Sequence, residues 1–422
     1  MNVAKVTGTF SPFLRTINKF VAFQEGGLEA SRFIQDTTTN LAPKALFARS
    51  RADLAETSFL ELAESFLVYF GPKILGENVF RKLYSKKLPE ILKDKVAQPA
   101  VEILQDKVMK SEDAKKLLSV KSAISLSGLA IPLTEYSLNY IKNLLTLKMF
   151  KKADFNNIAA LDKADPNRNK ENDTKQEKVK RNAKRNIATA GSILAGLIGL
   201  SLLIVKKQGS SKILNHISEA VLAPGTKFFP DNAKKANFFN KYFGLDFANK
   251  NGKLSISHGQ LTSCVVAGAF GYLGAAKDRG KQNFLEVLFR YPLVGFYVIT
   301  GSELFEKGFT KLLKNKGKCA ELFSEGIEKI PAFKQLPDMA EKIADSTKGN
   351  AEGIYKNLCK QKAIVTMVPF VFSMLVMGLF VAGMSRLFTQ FRYDKDKKQN
   401  LQSQPLTFGR LSLDEFKNKV KA

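Results

Sequence analysis

Nineteen consecutive uncharged residues, Ile187–Val205 (IATAGSILAGLIGLSLLIV), sit between the basic runs KVKRNAKR and Lys206-Lys207. As a helix they span about 28 Å, close to the hydrocarbon thickness of a bilayer. A soluble core has no need of so long an uncharged run with basic locks at both ends. The run is therefore read as a transmembrane helix. A second run, Ala363–Ser385, is uncharged over 23 residues, with Pro369 inside it. Two such segments commit the chain to an all-α, polytopic helical integral membrane fold, because a crossing helix satisfies its own backbone polar groups.

Further apolar segments raise the count from two spans to as many as six. Ser122–Ile141 lies between Lys121 and Lys142 and holds one acid, Glu135. Leu254–Ala276 is uncharged and rich in small residues (Ala267, Gly268, Gly271, Gly274) at spacings that let membrane helices approach closely. Leu54–Leu75 carries Glu56, Glu61, Glu64 and Lys73, and Phe284–Phe305 carries Glu286, Arg290, Pro292 and Glu303. Whether the cores of those two, 58–75 and 286–304, cross is left open by composition.

The remaining stretches give the domain plan. Residues 1–53 form an amphipathic N-terminal helix and loop. Ser11-Pro12 starts the helix, Phe10, Phe13, Leu14, Ile17, Phe20 and Val21 form its stripe, and Gly26-Gly27 stops it. The polar knot Asp36-Thr37-Thr38-Thr39-Asn40 reads as a cap or turn. Residues 54–150 are a first helical half. Residues 151–186 are so polar and charged that a solvated, disordered linker is expected. Asp165, Asn167 and Asn169 imitate an EF-hand start, but Lys170 stands where the turn glycine belongs and Gln176 where the bidentate Glu belongs, so calcium is rejected. After the central helix, 187–205, come a basic aromatic connector (206–253), a second half (254–395) and a basic tail (396–422). In the tail, Ser412 and Glu415 match a capping box.

The net charge of +27 points to an anionic lipid surface, with basic amphipathic helices in the interface and protein partners as further candidates. Nucleic acid is disfavoured: 53 Lys against 13 Arg gives a diffuse field rather than bidentate recognition. Basic residues around the two strongest spans place 151–186 and the C-terminal tail together on the inside, cytoplasmic face, which requires an even number of crossings between them. Residues 59–88 also align without gaps on 284–313, pairing Glu61 with Glu286 and Gly76 with Gly301, and 121–150 lies over 362–391. That order suggests an internal duplication of the kind transporters use.

Enzyme motifs are missing. The chain has two histidines, His216 and His258, no CxxC among Cys264, Cys319 and Cys359, and no phosphate-binding glycine loop, so no cofactor or metal is expected. Ionisable residues inside apolar segments are costly and are the default functional candidates. These are Glu135, Glu286, Arg290, Glu61 and Glu64. Glu286 and Arg290, at i,i+4, are placed to neutralise each other, and Glu61 and Glu64 share a helix face. The favoured expectation is a non-enzymatic multi-span protein with a structural or partner-binding role. The alternative is a small-solute transporter of two similar halves around the central helix, signalled by a buried polar cavity between the halves lined by Glu135 and Glu286.

Overall fold

The computed structural model describes residues 10–403, apart from 27, 162–167, 208, 251, 325 and 327–329. The capping-box tail and the Asp165–Asn167 start of the EF-hand imitation lie outside the described residues. Helix α1 (Pro12–Gly26) begins as its sequence suggests, with the Ser11 hydroxyl accepting from the Leu14 N–H at 3.3 Å. Leu28–Asp36, Thr37–Leu41 and Ala42–Leu46 then run on as one rod, α2. Its middle is wound as a π-helix, with the Ala42 N–H reaching the Thr37 carbonyl. The polar knot is therefore neither cap nor turn. It is a widened stretch of helix.

Helix α3 (Arg51–Gly71) is capped by Ser50, which accepts from the Asp53 N–H at 3.1 Å. Pro72 follows, and lacking an N–H it cannot continue the ordinary ladder. The rod continues as a π stretch, Pro72–Arg81, to Tyr84. Helices α4 (Ser111–Gly128) and α5 (Ala130–Phe150) meet at Leu129. Gly128 leaves room there for the Phe247 ring, which a Cβ would approach to 2.6 Å.

Residues 122–141, a candidate span above, are divided between α4 and α5, which remain long and apolar enough to cross but are packed among other helices. Of the four helices among the described residues that are long and apolar enough to cross, Ser111–Phe150 has 83% of its apolar window buried. Lys175–Lys207, Lys281–Asn315 and Ala351–Gln399 have 17%, 22% and 22%. The reason is visible in the side chains: Ser119, Ser122, Ser125 and Ser127 are all buried, and small hydroxyls favour helix-on-helix contact over lipid.

The expected disordered linker is also corrected. Asp154 caps a short helix, Phe155–Ile158, whose Phe155 and Ile158 are buried. From Arg168 the chain enters α6 (Arg168–Lys207), 40 residues long, which carries the central span as its second half. Average polarity hid one apolar edge: Val179, Ala183 and Ala190 are buried at helical spacing. The other face of α6 is bare. Ile193 and Leu202 are about half exposed, and no atom lies within 4 Å of where a Cβ would stand at Gly191, Gly196 or Gly199. Those glycines do not form a packing face.

The connector holds α7 (Lys212–Leu222), α8 (Ala233–Phe243) and an antiparallel hairpin, β1 (Ala248–Lys250) with β2 (Lys253–Ser255). Helix α9 (His258–Arg279) turns at Gly280, φ +127°, into α10 (Lys281–Phe296). A π stretch, Tyr297–Gly301, carries α10 on to Asn315. Helix α11 (Leu336–Thr347) precedes α12 (Ala351–Ser373), which passes through a π stretch, Met374–Val381, to Ser403.

Side-chain partners fix the directions. Gly71 packs on Ile131 and Tyr84 bonds Ser127 at 2.8 Å, so α3 runs antiparallel to α4–α5. Gly268 meets Glu135, Gly271 meets Tyr136 and Gly274 meets Tyr140, so α9 runs parallel to α5. Asn186 bonds Tyr136 and Gly209 meets Lys115, which sets α6 antiparallel to both α4 and α5. The corners at 47–50, 151–158 and 280 therefore share one end of the bundle. Asp396 joins them there through Lys281 at 3.1 Å. The described residues of 85–110, 209–257 and 316–350 lie at the opposite end. Two clusters at that end hold a conventional apolar core, one around Val96, Leu117 and Phe247 and one around Leu322, Leu336 and Leu358.

Candidate functional site

Between α2, α3, α5, α9 and α10 lies a cavity of about 110 Å³ with a mixed polar and apolar lining. Four of the five candidate residues line it: Glu61, Glu64, Glu135 and Arg290. They reach it from three helices. Glu61 and Glu64 come from one face of α3, as their spacing suggests, Glu135 from α5 and Arg290 from α10.

Each of these side chains has a distinct setting. Glu61 accepts from Lys44 at 2.5 Å. Arg290 is 8% exposed, far from a surface role, and hydrogen-bonds the Tyr272 hydroxyl with its guanidinium 5.3 Å from that ring's centre. Glu135 is 6% exposed, and its Oε2 has no hydrogen-bond partner. Glu64 lies within electrostatic reach of Glu135 and Glu61.

Glu286 stands apart. It does not line the cavity and does not pair with Arg290 as their spacing suggests. It receives both nitrogens of Arg49, at 3.0 and 3.2 Å. An i,i+4 pair is worth only a few tenths of a kcal/mol, whereas a bidentate guanidinium in a buried setting offers more, and here it wins. Burial works against the charge on Arg49, yet Glu286 and Asp53 beside it hold its pKa above the usual range.

The Arg49–Glu286 contact has a counterpart. Arg279 donates one hydrogen bond to Glu56 at 2.8 Å, its other terminal nitrogen stands 2.7 Å from the second carboxylate oxygen, and its side chain is 1% exposed. Each arginine stands two residues before a helix, α3 or α10, and each reaches the sixth residue of the other helix. The third long helices cross in the same sense. Asn143 of α5 donates to the Ala275 carbonyl of α9 at 3.0 Å, and Arg386, on the continuation of α12, donates to the Lys44 carbonyl of α2 at 2.7 Å. Arg386 also stands 3.6 Å from Asp53. These crossed contacts tie one end of the bundle shut.

Towards the other end, a second cavity of about 760 Å³ adjoins the first, sharing Asp36, Asn40, Tyr69, Leu261 and Val298. It reaches His258 and Lys241, which are about two-fifths exposed. Three of the π stretches supply its wall, through Thr39, Tyr297 and Met377. Single π segments inside helices recur at functional sites because they widen the rod and redirect side chains.

Several lining residues were missed in the sequence. Asp36 accepts from Asn40 and Ser65, both at 2.5 Å, and lines both cavities. Tyr69, Tyr272 and Tyr291 complete the polar wall. The signal for Asp36 was the polar knot itself, lying in a helix-forming stretch. The tyrosines gave none. Among the described residues no group of three or more His, Cys, Asp and Glu side chains is arranged to hold a metal. No protein family matches the chain, nor does any curated protein or solved structure.

Proposed function

We propose that this protein is a small-solute transporter built from two similar halves, with the solute passing through the polar cavity between them. One observation carries the reading: a buried polar cavity sits at the junction of the two halves, adjoins a large cavity towards one end, and is tied shut at the other by crossed ion pairs. Alternating access needs a central site reachable from one side at a time, and parallel repeats with midplane sites are a recurrent solution.

The halves are α2, α3 and α4–α5 in one, and α9, α10 and α12 in the other. The crossed contacts relate them at a separation of 230 residues, from Arg49 to Arg279 and from Glu56 to Glu286. The ungapped match at 59–88 pairs Glu61 with Glu286 and is five residues out of that register. Nor are the halves arranged around the central helix: α6 packs along the flank of α4, α5 and α9 and turns its other face outward. The bare apolar faces of α6, α10 and α12 are read as the lipid surface. Phe228, Phe238 and Phe243, each more than half exposed beside Lys234, Lys235 and Lys241, suit an anionic interface.

The test is uptake into vesicles containing the purified full-length protein, using a radiolabelled panel of amines, amino acids, sugars and carboxylates. Saturable uptake of at least one class is expected, reduced by Glu135→Gln. Uptake no greater than into empty vesicles across the panel would overturn the reading.

A further inference from the structure

We propose that the central cavity is a site for a small organic ammonium ion, held between Glu64 and Glu135. This rests on the transporter reading, because it names the class of solute the same cavity accepts. In a chain of net charge +27, the cavity is lined by four acids, Asp36, Glu61, Glu64 and Glu135, against two bases, Lys44 and Arg290.

The local pairings decide which acids are free. Lys44 is engaged by Glu61 and Arg290 by the Tyr272 hydroxyl. Lys142, the next base, lies 4.5 Å from the centre of the Tyr272 ring. Asp36 has the amide of Asn40 and the hydroxyl of Ser65. That leaves Glu64 and Glu135, from α3 and α5, facing one space with no arginine or lysine in ion-pair contact among the described residues. Glu135 is the sharper observation. It is more than nine-tenths buried, its Oε2 has no partner, and it lines the cavity. A buried carboxylate oxygen left empty is costly, and a bound cation is the natural partner to supply.

The rest of the lining selects the kind of cation. A hard metal ion wants six or more oxygen ligands, and the described residues offer no such group. Tyr69, Tyr291, Val68, Leu261 and Val265 instead give aromatic and apolar contact. That combination, carboxylates among aromatic and apolar side chains, suits a cation that carries methyl groups. About 110 Å³ is room for a few heavy atoms, given about 30 Å³ per water.

The experiment measures equilibrium binding of radiolabelled methylammonium and tetramethylammonium to the full-length protein in nanodiscs, alongside uptake into vesicles. Saturable binding is expected, weakened about tenfold or more in Glu64→Gln and in Glu135→Gln, about 1.4 kcal/mol. Glu219→Gln, on α7 and outside the cavity lining, binds like the unaltered protein. Thermal unfolding confirms that each variant is folded. Saturable binding without uptake supports the site and removes the transporter reading. Folded protein that binds neither amine overturns the ammonium site. So does uptake of a neutral or anionic solute that both glutamine variants leave intact, and in that case the transporter reading stands.

Discussion

Replacing Arg279 by Met leaves Glu56 buried without its arginine partner, and the structure says how costly that is. The Arg279 side chain is 1% exposed and that of Glu56 is 10% exposed. Removing one member of a buried pair typically costs about 3–5 kcal/mol, because the remaining charge is desolvated and uncompensated. Lys142 lies within electrostatic reach of Glu56 and offsets part of the loss, which favours the lower end of that range. A chain of this length has an unfolding entropy near 0.9 kcal/mol per degree by the usual per-residue value, so the expected fall in Tm is about 3–6 °C. The chain has no Trp, but Cys264 and Cys359 are buried, so a thiol-reactive dye that fluoresces on reaction reports unfolding in detergent. Glu56→Gln alone is expected to cost a similar amount, because it leaves the Arg279 guanidinium, 1% exposed, without its carboxylate. The double variant is expected to recover 1 kcal/mol or more relative to the sum of the singles, in the manner of any directly coupled pair, by about that order. Additive losses would refute the argument that the two side chains act as one unit.

Three further outcomes test the packing and the topology. Gly271→Val sets a Cβ 2.5 Å from the Tyr136 carbonyl oxygen, where backbone cannot give way, and is expected to destabilise by about 3 kcal/mol or more, whereas Gly196→Val, with nothing within 4 Å, stays within about 0.5 kcal/mol; the same dye melt reads both. In the folded protein a maleimide labels Cys319, which is partly exposed, and spares Cys264 and Cys359. Burial and Glu321 push the Cys319 thiol up, so its labelling accelerates as pH rises through 8 to 9. Single cysteines placed in 206–253 and in 306–360 are expected to be reached from the membrane side opposite to residues 151–161, and finding all three regions on one side would refute the placement of the two ends.

The exposed apolar helices of this architecture were legible and the interior was not, for physical reasons that differ by element. Ile187–Val205 and Ala363–Ser385 announce themselves because lipid demands an uninterrupted apolar surface, and α6 and α12 meet that demand. Residues 122–141 satisfy the same hydropathy rule for another reason: they are buried among helices, and composition alone does not distinguish lipid from protein as an apolar neighbour. The small-residue stripe of α9 was read correctly, since Gly268, Gly271 and Gly274 each allow the α5 helix to come close. At the site, Glu61, Glu64, Glu135 and Arg290 were found by one argument, the cost of charge in an apolar segment. Arg49 escaped it because it lies in a polar corner, and its partner Glu286 is 237 positions away. The knot at 36–40 escaped because polar residues at a π stretch look, to any pattern built on ordinary helix spacing, like a place where a helix ends.

The crossed ion pairs make a claim about motion as well as stability. For a solute to leave by the tied end, Arg49–Glu286, Arg279–Glu56 and Arg386–Asp53 must separate, and each contact joins one half to the other. Weakening one of them lowers the barrier and the free-energy difference together, by about 1–2 kcal/mol for a pair such as Arg49–Glu286 whose members are neutralised in concert. That shifts the open population at this end about tenfold. Asn283, 4% exposed at the start of α10, is a reporter of that opening once changed to Cys in a background lacking the native cysteines. With all pairs intact, a membrane-impermeant maleimide is expected to react slowly there. With Arg49→Gln and Glu286→Gln together, the labelling rate is expected to rise about tenfold while the melting temperature stays within a few degrees. An unchanged rate in a folded double variant would mean that these pairs hold the halves together without gating anything, and the tied end would then be a hinge rather than a door.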